Sequence, residues 1–312
     1  MGLRIFTEPQ FGASYNQLLA VALTAEECGF DAFFRSDHYL TMGSESALPG
    51  YTDAWITLAG LARETTSLRI GTLVSPVTFR AVGPFVVIAT QVDQMSGGRV
   101  EVGVGAGWYE PEHLAYGLPF PPVRARYDIL EDQLAILHGV WSASPGATFA
   151  FEGRTCSVSL EADTLRPMQR PHPPIVMGGA GGPRSARLAA RFADEYNTSF
   201  RHVADTRRVH DAVRSICERH GRDPSTMLWS AGQVVCCGRT EAEIARRAAA
   251  IGHDVAELRE NGLAGTPDEV LEKLERFADA GVDRFYLQVL DLSDLDHLRF
   301  IAEAVLPHAP GR

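Results

Sequence analysis

The chain has 312 residues, 39 acidic against 29 basic side chains, a net charge of −10 and a pI near 5.5. Such a surface repels nucleic acid and anionic membranes, so neither is an expected partner. The hydrophobic fraction of 45% is that of a globular protein with a real core, and no run reaches the roughly 20 apolar residues of a membrane span. The N-terminus enters an apolar strand without a charged leader. Five cysteines in no metal or redox spacing suit a reducing compartment, so a cytoplasmic protein is expected.

Taken in order, residues 3–6 make a short apolar strand closed by Glu8, Pro9 and Gln10. Residues 16–28 place Leu18, Leu19, Ala22 and Leu23 at helical spacing, and Gly29 stops the helix. Residues 31–35 form the second strand, followed by Asp37 and His38. A polar loop over 41–50 leads to a helix over 53–66 with Asp53 as N-cap. The third strand covers 68–75, and a helix over 84–95 ends at Gly97 and Gly98. The fourth strand covers 100–104 and the fourth helix 125–141.

The alternation breaks over residues 145–174, where FEGRTCSVSLE alternates like a hairpin and four prolines follow. This reads as an inserted hairpin and extended arm, not a second domain. Strands then recur at 175–177, 195–198, 228–236 and 284–289. Helices lie between and after them at 184–192, 205–220, 240–251, 266–280 and 295–306. Thr240 with Glu243, and Thr266 with Glu269, have the spacing of capping boxes. Eight strands alternating with helices predict an α/β fold, a (β/α)8 TIM barrel forming one domain over 1–312, with the arm inserted after the fourth helix.

The stretch RVEVGVGAGWYEPE, residues 99–112, stands out. Val100, Val102 and Val104 alternate as a buried strand, and Gly103, Gly105 and Gly107 remove side chains ahead of Trp108 and Tyr109. This strand end reads as a floor for a flat ligand, or as a junction that needs glycine for geometry alone. In such a barrel the active site forms at the C-terminal strand ends. Those ends carry Glu8, Gln10, Asp37, His38, residues 75–78, 106–108, 178–182 and 199–202, Gln233 and Gln288. Few ionisable groups among many glycines and amides suit a large polar planar cofactor better than a hydrolytic centre. No HExxH, HxH, GxSxG or GxxxxGK occurs, so no metal site is expected, and Trp108 breaks the dinucleotide fingerprint.

Gly178, Gly179, Ala180, Gly181 and Gly182 sit after a strand and before a helix. They read as a phosphate cradle with Arg184 as counter-charge, or as a flexible turn. Asp37 and His38 read as an acid–base pair at the barrel mouth, or as a strand-end cap with a histidine bonded to it. Tyr127 is either a helix-face aromatic or a hydroxyl aimed at a phosphate. Glu110, Glu112 and His113 read as a solvated helix start.

Several segments together carry a resemblance: GFDAFFRSDH, SLRIGTLVSPVTFR, MSGGRVEVGVGAGWYEPEHLAYG, PFPPVRARYDILEDQL, RPHPPIVMGGAGG and GTPDEVLEKLERFADAGVDRF. The chain resembles the bacterial-luciferase-like flavin enzymes, and within them the coenzyme F420-dependent branch, over nearly its whole length. The resemblance implies a deazaflavin ring packed on a bulge of strand three at Leu73 and Val74, often joined by a non-proline cis peptide. It implies that the ring's pyrimidine side meets Ala106 and Gly107, and that the phosphate meets Gly178, Gly179, Ala180 and Gly181. His38 matches the histidine that some relatives place over the reactive ring carbon.

Members acting on a sugar phosphate use lysines to hold it, whereas this chain's one lysine, Lys273, lies in a predicted helix. An apolar substrate pocket walled by Trp108, Tyr109, Phe79 and Phe200 is therefore expected. The implied activity is hydride transfer between F420 and a small organic substrate. The alternative is an FMN-dependent monooxygenase using reduced FMN and O2, supplied by a separate flavin or deazaflavin reductase. A flavin-binding protein without turnover is a third reading. Family habit suggests a homodimer.

Overall fold

In the computed structural model, which describes residues 1–43, 48, 50–144, 146–161 and 166–311, eight strands pair in parallel and close on themselves. They are β1 (Gly2–Thr7), β2 (Ala32–Arg35), β3 (Arg69–Thr72), β4 (Val100–Gly105), β5 (Ile175–Gly178), β6 (Glu195–Ser199), β7 (Leu228–Cys237) and β8 (Arg284–Val289). Each pairs with the next, and β8 returns to β1 in register from Gly2 opposite Arg284 to Thr7 opposite Val289. The strands are apolar and buried along most of their length because helices cover the outside while side chains fill the inside. Among the described residues, no helix is long and apolar enough to cross a membrane.

The helix signals hold, with local differences. Ser14 and Gln17 form a capping box ahead of Tyr15–Glu27, and Asp53 accepts the amides of Trp55 and Ile56 at the start of Ala54–Glu64. Thr240 caps Glu241–Ala250 as expected, but the Glu243 carboxylate turns outward to the Arg239 amide, so that box is half-made. The short helix Glu110–Ala115 begins where a helix start was read, whereas the short helix Val255–Asn261 and the strand Leu263–Gly265 were not expected; both are too brief to show a period. Part of the polar loop over 41–50 (44–47 and 49) lies outside the described residues, as do 145 and 162–165 of the insertion.

The insertion contains the expected antiparallel hairpin, Thr148–Glu152 against Ser157–Glu161. Phe149, Phe151, Val158 and Leu160 pack inward against the core and the alternating residues face water.

Strand three departs most from its predicted course. β3 ends at Thr72, the Leu73–Val74 peptide is cis, and Ser75–Pro76 pairs anew with β4. The glycines of β4 explain how this bulge fits. A Cβ at Gly103 would collide with the Thr72 carbonyl, and one at Gly105 would lie 2.8 Å from Val74 Cγ2. These two glycines therefore make room for the bulge, and it is the bulge that faces the barrel mouth.

At the other end the barrel interior is closed by charge. Arg4 donates to both Glu101 oxygens, at 2.6 and 3.0 Å, and Tyr286 donates to Glu195 at 2.7 Å. Arg69 and Arg284 reach the same carboxylates from the rim. Arg4, Glu101, Glu195 and Tyr286 are buried, so the charges are tolerated because they are paired and hydrogen-bonded.

A smaller carboxylate clamp yields a stability prediction. Glu26 Oε1 accepts the amides of Thr66, Ser67 and Leu68 at 2.6–2.8 Å. Burial alone would raise its pKa, but these three donors outweigh it and hold the value at about 2. A carboxyl held low in the folded state stabilises fully above its unfolded pKa, and that stability is lost as pH falls through the folded value. Glu26→Gln is expected to cost about 1–2 kcal/mol at neutral pH. In urea melts the gap between variant and parent should close as the pH falls from about 4.5 towards 2.

Candidate active site

Two adjoining cavities, about 1090 and 240 Å³, open at the C-terminal ends of the strands. Phe6, Leu73 and Phe200 line both, so together they form one trough with the strand-three bulge at its middle. Trp108 and Phe200 stand at its rim, 63% and 53% exposed. Exposed aromatics beside a concave surface are the usual sign of a ligand wall.

His38 lines the larger cavity just beyond the end of β2. Its Nδ1 lies 2.9 and 3.0 Å from the two carboxylate oxygens of Glu112, which is 1% exposed. The Tyr39 amide donates to the same carboxylate at 3.1 Å. A carboxylate on Nδ1 fixes the ring's orientation and the proton on that nitrogen, leaving Nε2 for the cavity. Glu8 also lines the cavity, with Gln10 and Gln288 donating to its two oxygens. Burial pushes the Glu8 carboxyl up, against the opposing pull of Gln10, His38 and Gln288. His38 and Glu8 thus give the site an imidazole and a carboxyl able to hold or release a proton, and His253 and Asp291 line the same cavity.

Asp37 was expected to share this role, and its geometry corrects that. It is buried, accepts from Ser75 Oγ at 2.6 Å and Arg80 at 2.5 and 3.2 Å, and does not line the trough. It anchors the segment after the bulge and so positions its neighbour His38. Glu112 was expected at a solvated helix start; instead the short helix Glu110–Ala115 turns it inward onto His38.

The smaller cavity is lined by Val74, Gly178, Gly179, Ala180, Asn197 and Arg201, among others. The glycine turn is less open than its sequence suggests. The Gly179 amide donates to Asn197 O at 3.2 Å and the Gly181 amide to Tyr196 Oη at 3.1 Å. Gly178, Gly179 and Ala180 remain at the wall, ahead of the N-terminus of the helix Pro183–Phe192, whose partial positive charge favours an anion. Arg184 does not supply the counter-charge: it pairs with Asp128 and Glu131. Arg201 stands at the cavity wall.

Among the other expected residues, Leu73, Val74, Trp108 and Phe200 line the trough. Ala106, Gly107, Gly181 and Tyr127 do not. Ala106 and Tyr127 pack against the core, and Gly107 adopts a φ of 75° beside Pro76 and Thr78. Phe79 and Tyr109 also fall short of the trough. Phe79 stacks on Tyr39 at 4.8 Å, and Tyr109 donates to Thr41 O at 3.0 Å, so both support the loop that carries His38. Phe11, Met42, His253 and Asp291 line the larger cavity without having been expected, because they come from loops with no motif. Among the described residues no group of three or more His, Cys, Asp or Glu could hold a metal ion.

A closed parallel (β/α)8 barrel with a cofactor-sized trough at its C-terminal mouth defines the architectural class. The family description "Luciferase-like monooxygenase" matches residues 2–261, and the chain belongs to that family. It is 34% identical over 191 residues to an F420-dependent glucose-6-phosphate dehydrogenase of Microbacterium testaceum, covering 61% of this chain and 54% of that one. The chain thus spans about half the length of that curated relative. It is 33% identical over 131 residues to an FMNH2-dependent dimethylsulfone monooxygenase of Pseudomonas putida, covering 42% of this chain and 35% of that one. An F420-dependent secondary alcohol dehydrogenase solved with an F420–acetone adduct superposes with a TM-score of 0.82 over 99% of this chain and 98% of that one, at 20% identity. That likeness shows the fold.

Proposed function

We propose that the protein is an oxidoreductase that moves a hydride between coenzyme F420 and a small, uncharged, largely apolar organic substrate. The observation that carries this reading is the juxtaposition, in one trough, of the Leu73–Val74 bulge, the turn 178–180 and the His38–Glu112 pair. The residues fit a phosphorylated tricycle. Leu73 and Val74 offer an apolar seat at its middle, and Gly178, Gly179, Ala180 and Arg201 offer small size and positive charge at its narrow end. Bound there, F420 supplies a two-electron hydride donor or acceptor. His38 Nε2 holds or delivers the accompanying proton, Glu112 keeps the ring in place, and the aromatic rim excludes water.

The substrate class follows from charge. The residues lining the larger cavity include no lysine or arginine, and they include Glu8 and Asp291. Lys273 is spent on the carbonyls of Arg259, Glu260 and Gly262. A phosphorylated substrate would enter without a counter-charge. A simple secondary alcohol is therefore expected to reduce F420 in the presence of the protein, and glucose 6-phosphate is not. Loss of the F420 absorbance near about 420 nm reads this directly. Turnover of the sugar phosphate alone would refute the substrate class.

The second reading, a monooxygenase using O2 and reduced FMN supplied by a separate reductase, is favoured by the 33% identity to the dimethylsulfone monooxygenase. It requires substrate oxidation that stops without O2, whereas the F420 reaction continues anaerobically. Gly179→Val tests the narrow end under either reading. Gly179 has a φ of 150°, where a branched side chain is strained. Its affinity for the phosphorylated cofactor should fall about tenfold or more, measured by fluorescence titration. Unaltered affinity would remove the turn from the cofactor site.

A further inference from the structure

Glu112 holds the His38 ring, and a single guanidinium holds the residues on either side of it in the chain. Arg80 donates to both oxygens of Asp37, at 2.5 and 3.2 Å, and to the Tyr39 hydroxyl at 2.9 Å. It also donates to Asp53, the N-cap of the helix Ala54–Glu64. The Tyr39 hydroxyl donates in turn to Asp53. Burial pushes that phenol up, with Asp37 and against Arg80, so it keeps the proton it donates. Arg80 comes from the segment after the strand-three bulge, whose Ser75 also donates to Asp37, at 2.6 Å. The Arg80 side chain is mostly buried and does not line the trough. Two carboxylates and a guanidinium so far out of water add little net stability over a packed apolar cluster, so stability alone does not account for them. A lysine would bring the charge but not the planar fork that reaches Asp37, Tyr39 and Asp53 together.

We propose that Arg80 is a positioning residue: it grips both chain neighbours of His38 and fixes the imidazole at one place relative to the strand-three bulge. The proposal rests on His38 as the group that holds or delivers the proton under the proposed function. Arg80 acts through Asp37 and Tyr39, not by contact with cofactor or substrate. The bulge keeps a support of its own, because Trp55 Nε1 donates to Ser75 Oγ at 2.9 Å. Loss of the fork therefore loosens the His38 loop more than it disturbs the cofactor seat. A displacement of about 1 Å at a reacting group costs about 10²-fold in rate, so the effect falls on turnover.

The test compares the parent with Arg80→Lys, His38→Ala and the double variant, all as the full chain. In Arg80→Lys, kcat for anaerobic F420 reduction by a secondary alcohol should fall about 10–100-fold. F420 affinity should stay within about twofold of the parent. With His38 already replaced, the same change should cost less than about twofold more, because the group it positions is gone. A second readout needs neither cofactor nor turnover. In chains labelled with nitrogen-15 histidine, at about pH 8.5 where imidazole is neutral, the ring signal that His38→Ala removes reports the tautomer. It should show the proton on Nδ1 in the parent and a mixture of tautomers in Arg80→Lys. If Arg80→Lys does not fold, Tyr39→Phe replaces it. That variant leaves both ion pairs and cuts one of the two grips, so a fall of about threefold or more is expected, again absent with His38 already replaced. Parent-level turnover in the folded variant, a loss that persists in full beside His38→Ala, or an unchanged single tautomer would each overturn the proposal. Should His38→Ala itself keep full turnover, the proposed function loses its proton carrier, and the tautomer measurement alone then decides whether Arg80 places the ring.

Discussion

His38→Ala is expected to lower F420-dependent turnover by about 10²–10⁴-fold while cofactor affinity changes little. The reason is geometric. Nδ1 is committed to Glu112 at 2.9 Å, so the ring presents Nε2 to the cavity. Glu112→Gln should keep an oxygen on Nδ1 and so lower turnover by less than His38→Ala does. A Glu112 that only braces the helix Glu110–Ala115 would leave the turnover of a folded variant unchanged. Unchanged turnover in His38→Ala would remove the residue from the mechanism.

Glu101→Ala is expected to destabilise the fold by about 3–5 kcal/mol, because it removes both carboxylate hydrogen bonds of the buried Arg4 guanidinium and leaves it the Tyr286 hydroxyl and a 3.9 Å contact with Glu195. Burial by itself would raise the Glu101 carboxyl, but Arg4, with Arg284 and Arg69, holds it well below the usual carboxylate range. Its contribution is therefore complete above a pH of about 4.3 and is lost as the pH falls towards the folded value. The double variant Arg4→Met with Glu101→Leu should recover most of the loss, since neither charge is then left unpaired. Urea denaturation of the two variants checks both statements. A single variant as stable as the parent would mean that water reaches Arg4 and that the barrel floor is not closed.

The barrel was legible because its strands are apolar runs punctuated by capped helices, and the inserted hairpin because FEGRTCSVSLE alternates. What remained hidden depends on residues distant in sequence. Gly103 and Gly105 looked like a ligand floor, but they are shaped by Thr72 and Val74 on the neighbouring strand. Glu112 looked like a helix-start carboxylate, because nothing in its own segment shows that His38 lies above it. Arg184 stands just past the glycine turn in sequence, and only packing shows that Asp128 and Glu131 claim it while Arg201, from beyond the next strand, lines the cavity. The charged and phenolic groups inside the barrel floor gave no local sign: Arg4, Glu101 and Tyr286 sit in strands that otherwise read as largely apolar, and Glu195 is one polar residue among several in EYNTS.

The most direct measurement is an anaerobic titration of the purified chain with F420, followed by fluorescence, with FMN as the parallel ligand. Saturable binding of F420, weakened by Gly179→Val and little changed by His38→Ala, is the predicted result. If neither F420 nor FMN binds saturably to the folded chain, the trough at the barrel mouth is not a cofactor site.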